Sequence, residues 1–255
     1  MSVPGLTDDA QLARQSLWLK EYRLWLLDTF VLPTFAAAKP AALDVGGGPG
    51  VMAEDLSSRM DITVLDRDRG MARKARGKGL EALQGDACTL PFADGSFDVV
   101  CCSFLLLWTK GPEIALREMV RVSRGWVLCL AEPDHGGRID HPAALAPVRD
   151  LVVEGMRLEG ADPLMGRKLS GLFHACGLVP RIGIYPGAWN IEEIRRNAEE
   201  EWGWIVDAAG EGQGLESVKA AWAEALDEGS LFQFDPIFYA IARKGHAPGR
   251  GSRQE

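Results

Sequence analysis

Between residues 41 and 133, short apolar runs alternate with segments of helical spacing, and that alternation narrows the fold more than any other feature of the chain. The runs are AALDVG (41–46), ITVLD (62–66), LEALQGD (80–86), FDVVCCSF (97–104) and WVLCLAEP (126–133). VMAEDLSSRM, GMARKARGKG and GPEIALREMVRVS lie between them and repeat apolar residues at helical intervals. Strands that are apolar on both faces and joined by helices belong to a parallel sheet covered on both sides. The chain is therefore predicted to be α/β, with a doubly wound, mostly parallel sheet. GLVPRIGIYPGAW (177–189) and LFQFDPIFYAIARKG (231–245) read as further strands and bring the sheet to seven.

The flanks are helical. Residues 8–36 read as one long helix or two short ones, with Leu17, Trp18, Tyr22, Trp25, Leu26 and Phe30 on an apolar side expected to pack as core. Residues 138–176 hold helical pieces broken by Gly and Pro. NIEEIRRNAEEEWGWIVDAA (190–209) opens with an Asn cap and early acidic residues, and a further helix is expected near 215–228. The organisation predicted is an N-terminal helical cover (1–38), a main domain (39–245) with helical insertions at about 138–176 and 187–230, and a disordered tail (246–255).

A formal net charge of -8 speaks against a nucleic-acid partner, which needs a clustered positive field. MSVPGLTDDAQLARQ lacks the basic start and apolar run of a signal peptide, and Asp28 and Pro33 interrupt the longest apolar stretch (24–38). A soluble cytoplasmic protein with no membrane span is expected. Cys88, Cys101, Cys102, Cys129 and Cys176 form no CxxC pair and have no His at ligand spacing, so no metal site and no disulfide framework are expected.

The first run ends in Gly46-Gly47-Gly48-Pro49-Gly50 and passes straight into a helix. In an open parallel sheet, ligands bind outside the carboxyl ends of the strands near the reversal of strand order, so this turn and Asp66 at the next strand end mark the place to look. Two cofactors compete for it. Gly48, Gly50 and Ala53 satisfy the dinucleotide pattern GxGxxA, with Asp66 placed for a ribose hydroxyl. Against that stands Asp44, because a pyrophosphate wants bare backbone N–H groups and no nearby anion. S-adenosylmethionine instead brings an ammonium and a sulfonium, and the acid becomes an asset.

Gly85-Asp86-Ala87 ends the third strand, where Asp86 can accept an adenine amino group, and PFADGSFDVVCCSF leads into the fourth. With these residues in order, the chain resembles the class I S-adenosylmethionine-dependent methyltransferases, most closely the branch with ubiquinone/menaquinone-type and other small-molecule methyltransferases. The resemblance covers roughly residues 40–133. It implies a Rossmann-like methyltransferase fold whose last two strands pair antiparallel, and S-adenosyl-L-methionine as cofactor. It further implies that Asp44, Gly46, Gly48 and Gly50 line the methionine part, Asp66 binds ribose, and Arg67 and Met71 flank the adenine. Asp86 and Ala87 would hold its edge, and Ser103 and Phe104 would lie near the sulfonium. One departure is SRGW (123–126), where the family has a KPGG turn before its fifth strand.

Methyl transfer is an in-line displacement, so the main task is to hold the acceptor on line with the sulfur. A base is needed only where the acceptor must lose a proton. His135, just past the fifth strand, and Tyr22, on a helix that can lid the site, are the candidate catalytic residues. Glu132, Pro133 and Asp134 emerge at the same edge, either as substrate contacts or as a capped loop. His174 reads as a packed histidine, His141 as a cap, and Glu199, Glu200 and Glu201 as a solvated face. Trp202 and Trp204 fall on different helix faces, so one is core at most and the other can reach a pocket. The expected partner is a small or medium-sized organic acceptor. A protein side chain, a non-catalytic regulatory module that binds the same cofactor, and an NAD-dependent dehydrogenase are the alternatives.

Overall fold

The computed structural model describes residues 9–36, 39–186, 190–210 and 214–245. The tail 246–255 and residues 187–189 of the sixth strand pattern lie outside that set. Helix α1 (Asp9–Leu26) leads, through a π turn at Leu27–Val31 and a 3-10 turn at Leu32–Thr34, into β1 (Ala41–Val45). Alternation follows as expected, with α2 (Val51–Leu56), β2 (Asp61–Asp66), α3 (Arg69–Gly77), β3 (Glu81–Gln84), β4 (Phe97–Cys102), α4 (Pro112–Val122) and β5 (Ser123–Pro133). The second half adds β6 (Ile139–His141), α5 (Pro147–Leu158), α6 (Met165–Ala175) and β7 (Arg181–Ile184). Then come α7 (Ile191–Arg196), α8 (Ala198–Ala209), α9 (Leu215–Glu228), β8 (Phe232–Phe234) and β9 (Ile237–Arg243).

Seven strands form one sheet in the order β3-β2-β1-β4-β5-β9-β7. β1 to β5 pair in parallel, and β9 runs antiparallel to both β5 and β7. The chain steps outward from β1 to β3 on one side and returns to β4 on the other. The crevice at the carboxyl ends of β1 and β4 is the topological switch point, where such sheets bind ligands.

Side chains alternate across each strand, and the two faces feed separate cores. Leu43, Val45, Val100, Cys102 and Val127 pack with α4, α5, α6 and α8. Ala42, Val64, Val99, Cys101 and Leu128 pack with α2 and the turn after α1. Asp44, two residues from Ala42, points into this second layer, which decides its environment.

Several elements differ from the sequence expectation. On α1 the buried residues are Ser16, Leu19, Arg23 and Leu26, whereas Leu17, Trp18 and Trp25 are exposed and Tyr22 is 37% exposed. The aromatic series is therefore not core, because the helix turns its 16/19/23/26 stripe to the sheet. SRGW is no turn but the start of β5, and a Cβ at Gly125 would stand 2.6 Å from the Asp98 carbonyl oxygen, so the glycine lets two strands approach. The final run divides before Pro236: β8 pairs with β6 in a separate two-stranded sheet, and only β9 joins the main one. The 190–209 helix breaks at Asn197 into α7 and α8, while Asn190 caps α7 by accepting from Glu192 N (3.1 Å) and Glu193 N (3.3 Å).

Candidate functional site

Gly46, Gly48 and Gly50 all have positive φ, at 71°, 55° and 77°, which side-chain-bearing residues avoid. Their surroundings differ. A Cβ at Gly50 would meet Leu80 Cδ1 at 2.5 Å and Ala75 Cβ at 3.2 Å, so Gly50 serves the packing of α3 against the turn. At Gly48 nothing lies within 4 Å, and its N–H donates to Asp66 Oδ2 at 2.9 Å. The turn is thereby tied to the end of β2.

Above the strand ends lies a cavity of about 1290 Å³ that runs from the glycine turn to the helices after β5. Gly46, Gly48, Asp66, Arg67, Met71, Asp86 and Ala87 line one half. Ser103 and Phe104 line it from the end of β4, and Tyr22 and His135 line the same space from α1 and from the segment after β5. Asp44 and Gly50 are not in the wall: Gly50 faces α3, and Asp44 is wholly buried beneath the turn.

Neither carboxyl oxygen of Asp44 has a hydrogen-bond partner. Burial pushes this acid up to about 7, with the nearby Arg23 opposing and the Asp66 charge adding to the rise. Arg23 is itself 1% exposed yet lines the cavity. Its Nη2 donates to Ser16 Oγ (2.8 Å) and Asp55 Oδ2 (3.0 Å), and its Nε is buried without a partner. An orphaned acid and an incompletely satisfied guanidinium thus flank one glycine turn. Sequence reasoning missed Arg23, although a single arginine on the buried 16/19/23/26 stripe was a signal.

Asp66 is held by two backbone donors, Gly48 N and Asp68 N (2.8 Å to Oδ1), and burial raises its carboxyl despite them. Its remaining lone pairs can accept from a ligand. Asp68 caps α3 through Gly70 N and Met71 N. Asp86 accepts from Cys88 N at 2.8 Å. At the end of β4, Phe104 is the one non-glycine residue among those described with positive φ, 52°. Such a conformation costs about 1–2 kcal/mol and needs its surroundings to hold it. Glu132 supplies that hold: fully buried on β5, it accepts from Leu105 N (2.9 Å), Leu106 N (2.7 Å) and Leu107 N (3.1 Å). It is the loop cap of the two readings open for it. Cys102, Cys129 and Glu132 bring ligand atoms within 4.8 Å of one another, a cluster that residue spacing does not reveal, but the carboxylate is already committed to those three N–H groups.

The far half of the cavity is built by a buried polar chain. His135 Nδ1 lies 2.7 Å from Asp235 Oδ2, and Arg138 reaches the same oxygen at 3.5 Å. Arg138 Nε also pairs with both Asp140 oxygens at 3.0 Å, Gln233 donates to Asp140, and Trp222 Nε1 donates to Gln233. Trp204 faces this chain, 5.8 Å from the His135 ring and 5.6 Å from the Arg138 guanidinium, while Trp202 is buried against Trp222. Tyr22 packs edge-on to Tyr185, and both line the cavity. Asp134 pairs instead with Arg167, His174 is exposed and contacts the Ser170 carbonyl, and His141 is an exposed residue of β6 that caps nothing. Asp235, Arg138 and Asp140 were not legible as site residues, since they converge only when β6 pairs with β8.

Residues 43–129 match the family described as "Methyltransferase domain". The chain is 41% identical over 97 residues to the demethylmenaquinone methyltransferase of Renibacterium salmoninarum, covering 36% of this chain and 41% of that protein. To the demethylmenaquinone methyltransferase of Roseiflexus sp. (strain RS-1) it is 37% identical over 196 residues, covering 71% of this chain and 74% of that one. Other relatives are spanned less fully, 57% and 38% of the length of two further demethylmenaquinone methyltransferases. A putative methyltransferase from Bacillus halodurans shares the fold, with TM-score 0.59 and 18% identity over 89% of this chain and 100% of that one. The chain belongs to the class I S-adenosylmethionine-dependent methyltransferases, on the branch of the demethylmenaquinone methyltransferases.

Proposed function

We propose that this chain binds S-adenosyl-L-methionine in the glycine-walled half of the cavity and methylates a small or medium-sized organic acceptor, a quinone-type ring, in the far half. The observation that carries the reading is the pair Asp44 and Arg23: a buried carboxyl with no donor and a buried guanidinium with an orphaned Nε, beside one glycine turn. An amino acid brings the ammonium and carboxylate that answer these two groups. A dinucleotide would instead bring its pyrophosphate to a wall that carries Asp66 and Asp86, with Asp44 beneath. The relatives support the acceptor class through their names, which specify demethylmenaquinone and, for a rice protein, 2-methyl-6-phytyl-1,4-hydroquinone.

In this reading Asp44 acts on the ammonium through the turn, Gly46 and Gly48 admit the methionine part, and Gly50 keeps the turn's shape. Asp66 takes the ribose hydroxyls, Arg67 and Met71 flank the adenine, and Asp86 and Ala87 hold its edge. Ser103 and Phe104 stand where the two halves meet. Bound there, S-adenosylmethionine supplies an already activated methyl group, so the chain's own work is to position the acceptor and exclude water. His135 and Tyr22 are the acceptor-side candidates. We place the protein in the cytoplasm, a reducing compartment that suits its free cysteines, and among the described residues no helix is long and apolar enough to cross a membrane.

The test is incubation with methyl-labelled S-adenosylmethionine and a metabolite extract of the source cells, followed by mass analysis of labelled products. S-adenosylhomocysteine is expected to raise the Tm and NAD to leave it unchanged, and Asp66→Ala to weaken binding at least about tenfold by removing a charged acceptor. A shift with NAD alone would overturn the reading.

A further inference from the structure

We propose that His135 and Asp235 form a general-base dyad, and that the acceptor is a compound whose nucleophile is made by removing a proton from a hydroxyl group. This rests on the methyl-transfer reading above and deepens it. His135 Nδ1 lies 2.7 Å from Asp235 Oδ2, a contact between residues a hundred positions apart that β6–β8 pairing brings together. Arg138 Nη1 faces the same oxygen at 3.5 Å, and although burial works to raise the Asp235 carboxyl, its contacts with His135 and with the permanently charged Arg138 hold the acid below its usual range. An ionised Asp235 can only accept, so Nδ1 carries a proton and the neutral ring keeps its lone pair on Nε2. His135 lines the cavity, and Nε2 is the ring nitrogen left for a ligand.

Arg138 is the positioning residue of the set. Its two contacts with Asp140 and the stack over Trp204 fix its guanidinium beside Asp235. The second Asp235 oxygen, Oδ1, is buried without a partner, an arrangement that costs stability and so is not explained by folding alone. The step balances without an outside reagent. The hydroxyl proton passes to His135 Nε2, and Asp235 stabilises the resulting imidazolium. The electron pair released on the acceptor forms the bond to the methyl carbon as the carbon–sulfur bond breaks, its pair staying on sulfur. The proton leaves to water when product departs.

The experiment uses the full chain labelled with nitrogen-15 at its four histidines. The signal lost in His135→Gln is expected to show protonated Nδ1 and bare Nε2 in the neutral ring, and Asp235→Ala to shift that ring toward the other tautomer. Asp235→Asn keeps an acceptor oxygen without the charge and guards against a folding defect; it is expected to retain the tautomer. In methyl transfer to chemically reduced 1,4-naphthoquinone, or to the acceptor labelled in the extract, Asp235→Ala lowers kcat at least about a hundredfold. KM and S-adenosylhomocysteine affinity are expected to stay within about threefold, with Asp235→Asn intermediate in kcat. A wild-type ring protonated on Nε2, or a kcat for Asp235→Ala within about threefold of wild type, overturns the dyad. A wild type that labels no acceptor overturns the functional reading instead, while the tautomer measurement still decides the dyad.

Discussion

Asp44 lies directly beneath Gly47: a Cβ on Gly47 would stand 2.4 Å from Asp44 Oδ2 and 2.7 Å from its Cγ. The floor of the glycine turn is thus a buried acid, and the turn's second glycine is required by that contact. Gly47→Ala forces Asp44 or the turn to move and is expected to cost about 1–3 kcal/mol, read as a lower urea midpoint. Gly171→Ala, at an exposed position of α6 with nothing within 4 Å, is the control of opposite sign, a gain of about 0.5–1 kcal/mol.

Asp44 makes stability and ligand affinity depend on pH in opposite senses. Its carboxyl is raised from 3.8 to about 7, so the folded state keeps the proton longer than the unfolded one. The resulting stability is fully present below pH 3.8 and is lost as pH rises through about 7. Glu132, raised from 4.5 to about 7, adds the same trend. A bound ammonium favours the ionised acid, so S-adenosylhomocysteine should bind more tightly as pH rises from about 6 to 8, by up to about tenfold. Asp44→Asn should flatten both curves. Calorimetry showing the same pH dependence in wild type and variant would remove Asp44 from the site.

The parts legible in the sequence are those written locally. The βα alternation, the glycine turn, and Asp66 and Asp86 at successive strand ends depend on neighbours in the chain, and their positions follow from strand period and turn chemistry. Asp44's depth does not, because it depends on α1 and α2 covering that face of the sheet. Trp18, Tyr22 and Trp25 imitate a buried stripe, yet the buried stripe contains Arg23. Trp18 and Tyr22 line the cavity while Trp25 packs on Phe30 away from it, and no periodicity distinguishes a cavity wall from a core. His135 and Asp235 meet through strands too short to announce their pairing.

Glu132 couples β5 to the loop after β4. Both oxygens are used by three backbone N–H groups, and the strained Phe104 immediately precedes them. Glu132→Gln offers a single acceptor oxygen, leaving at least one buried N–H without its partner. The expected cost is about 1–3 kcal/mol in denaturant unfolding, together with weaker S-adenosylhomocysteine binding because Ser103 and Phe104 lose their support. Unchanged stability would mean that water or another group satisfies the loop, and the coupling would fall.

Helix α1 carries residues with two different tasks, and substitutions should separate them as well. Leu26 is 1% exposed, packs near Leu19 and Tyr185 and does not line the cavity, whereas Trp18 is 53% exposed and lines the cavity beside Tyr22. Leu26→Ala removes buried contacts and should cost about 2–5 kcal/mol with little direct effect on KM. Trp18→Ser removes no core contact, so its unfolding free energy should stay within about 0.5 kcal/mol of wild type. An apolar acceptor that enters past α1 loses a flat ring surface in that variant, so its KM should rise several-fold with kcat held, the pattern of lost uniform binding. Equal destabilisation by both substitutions would return Trp18 to the core. An unchanged KM for Trp18→Ser would place the acceptor's entrance elsewhere on the cavity, past the Asn190–Asn197 side that α7 forms.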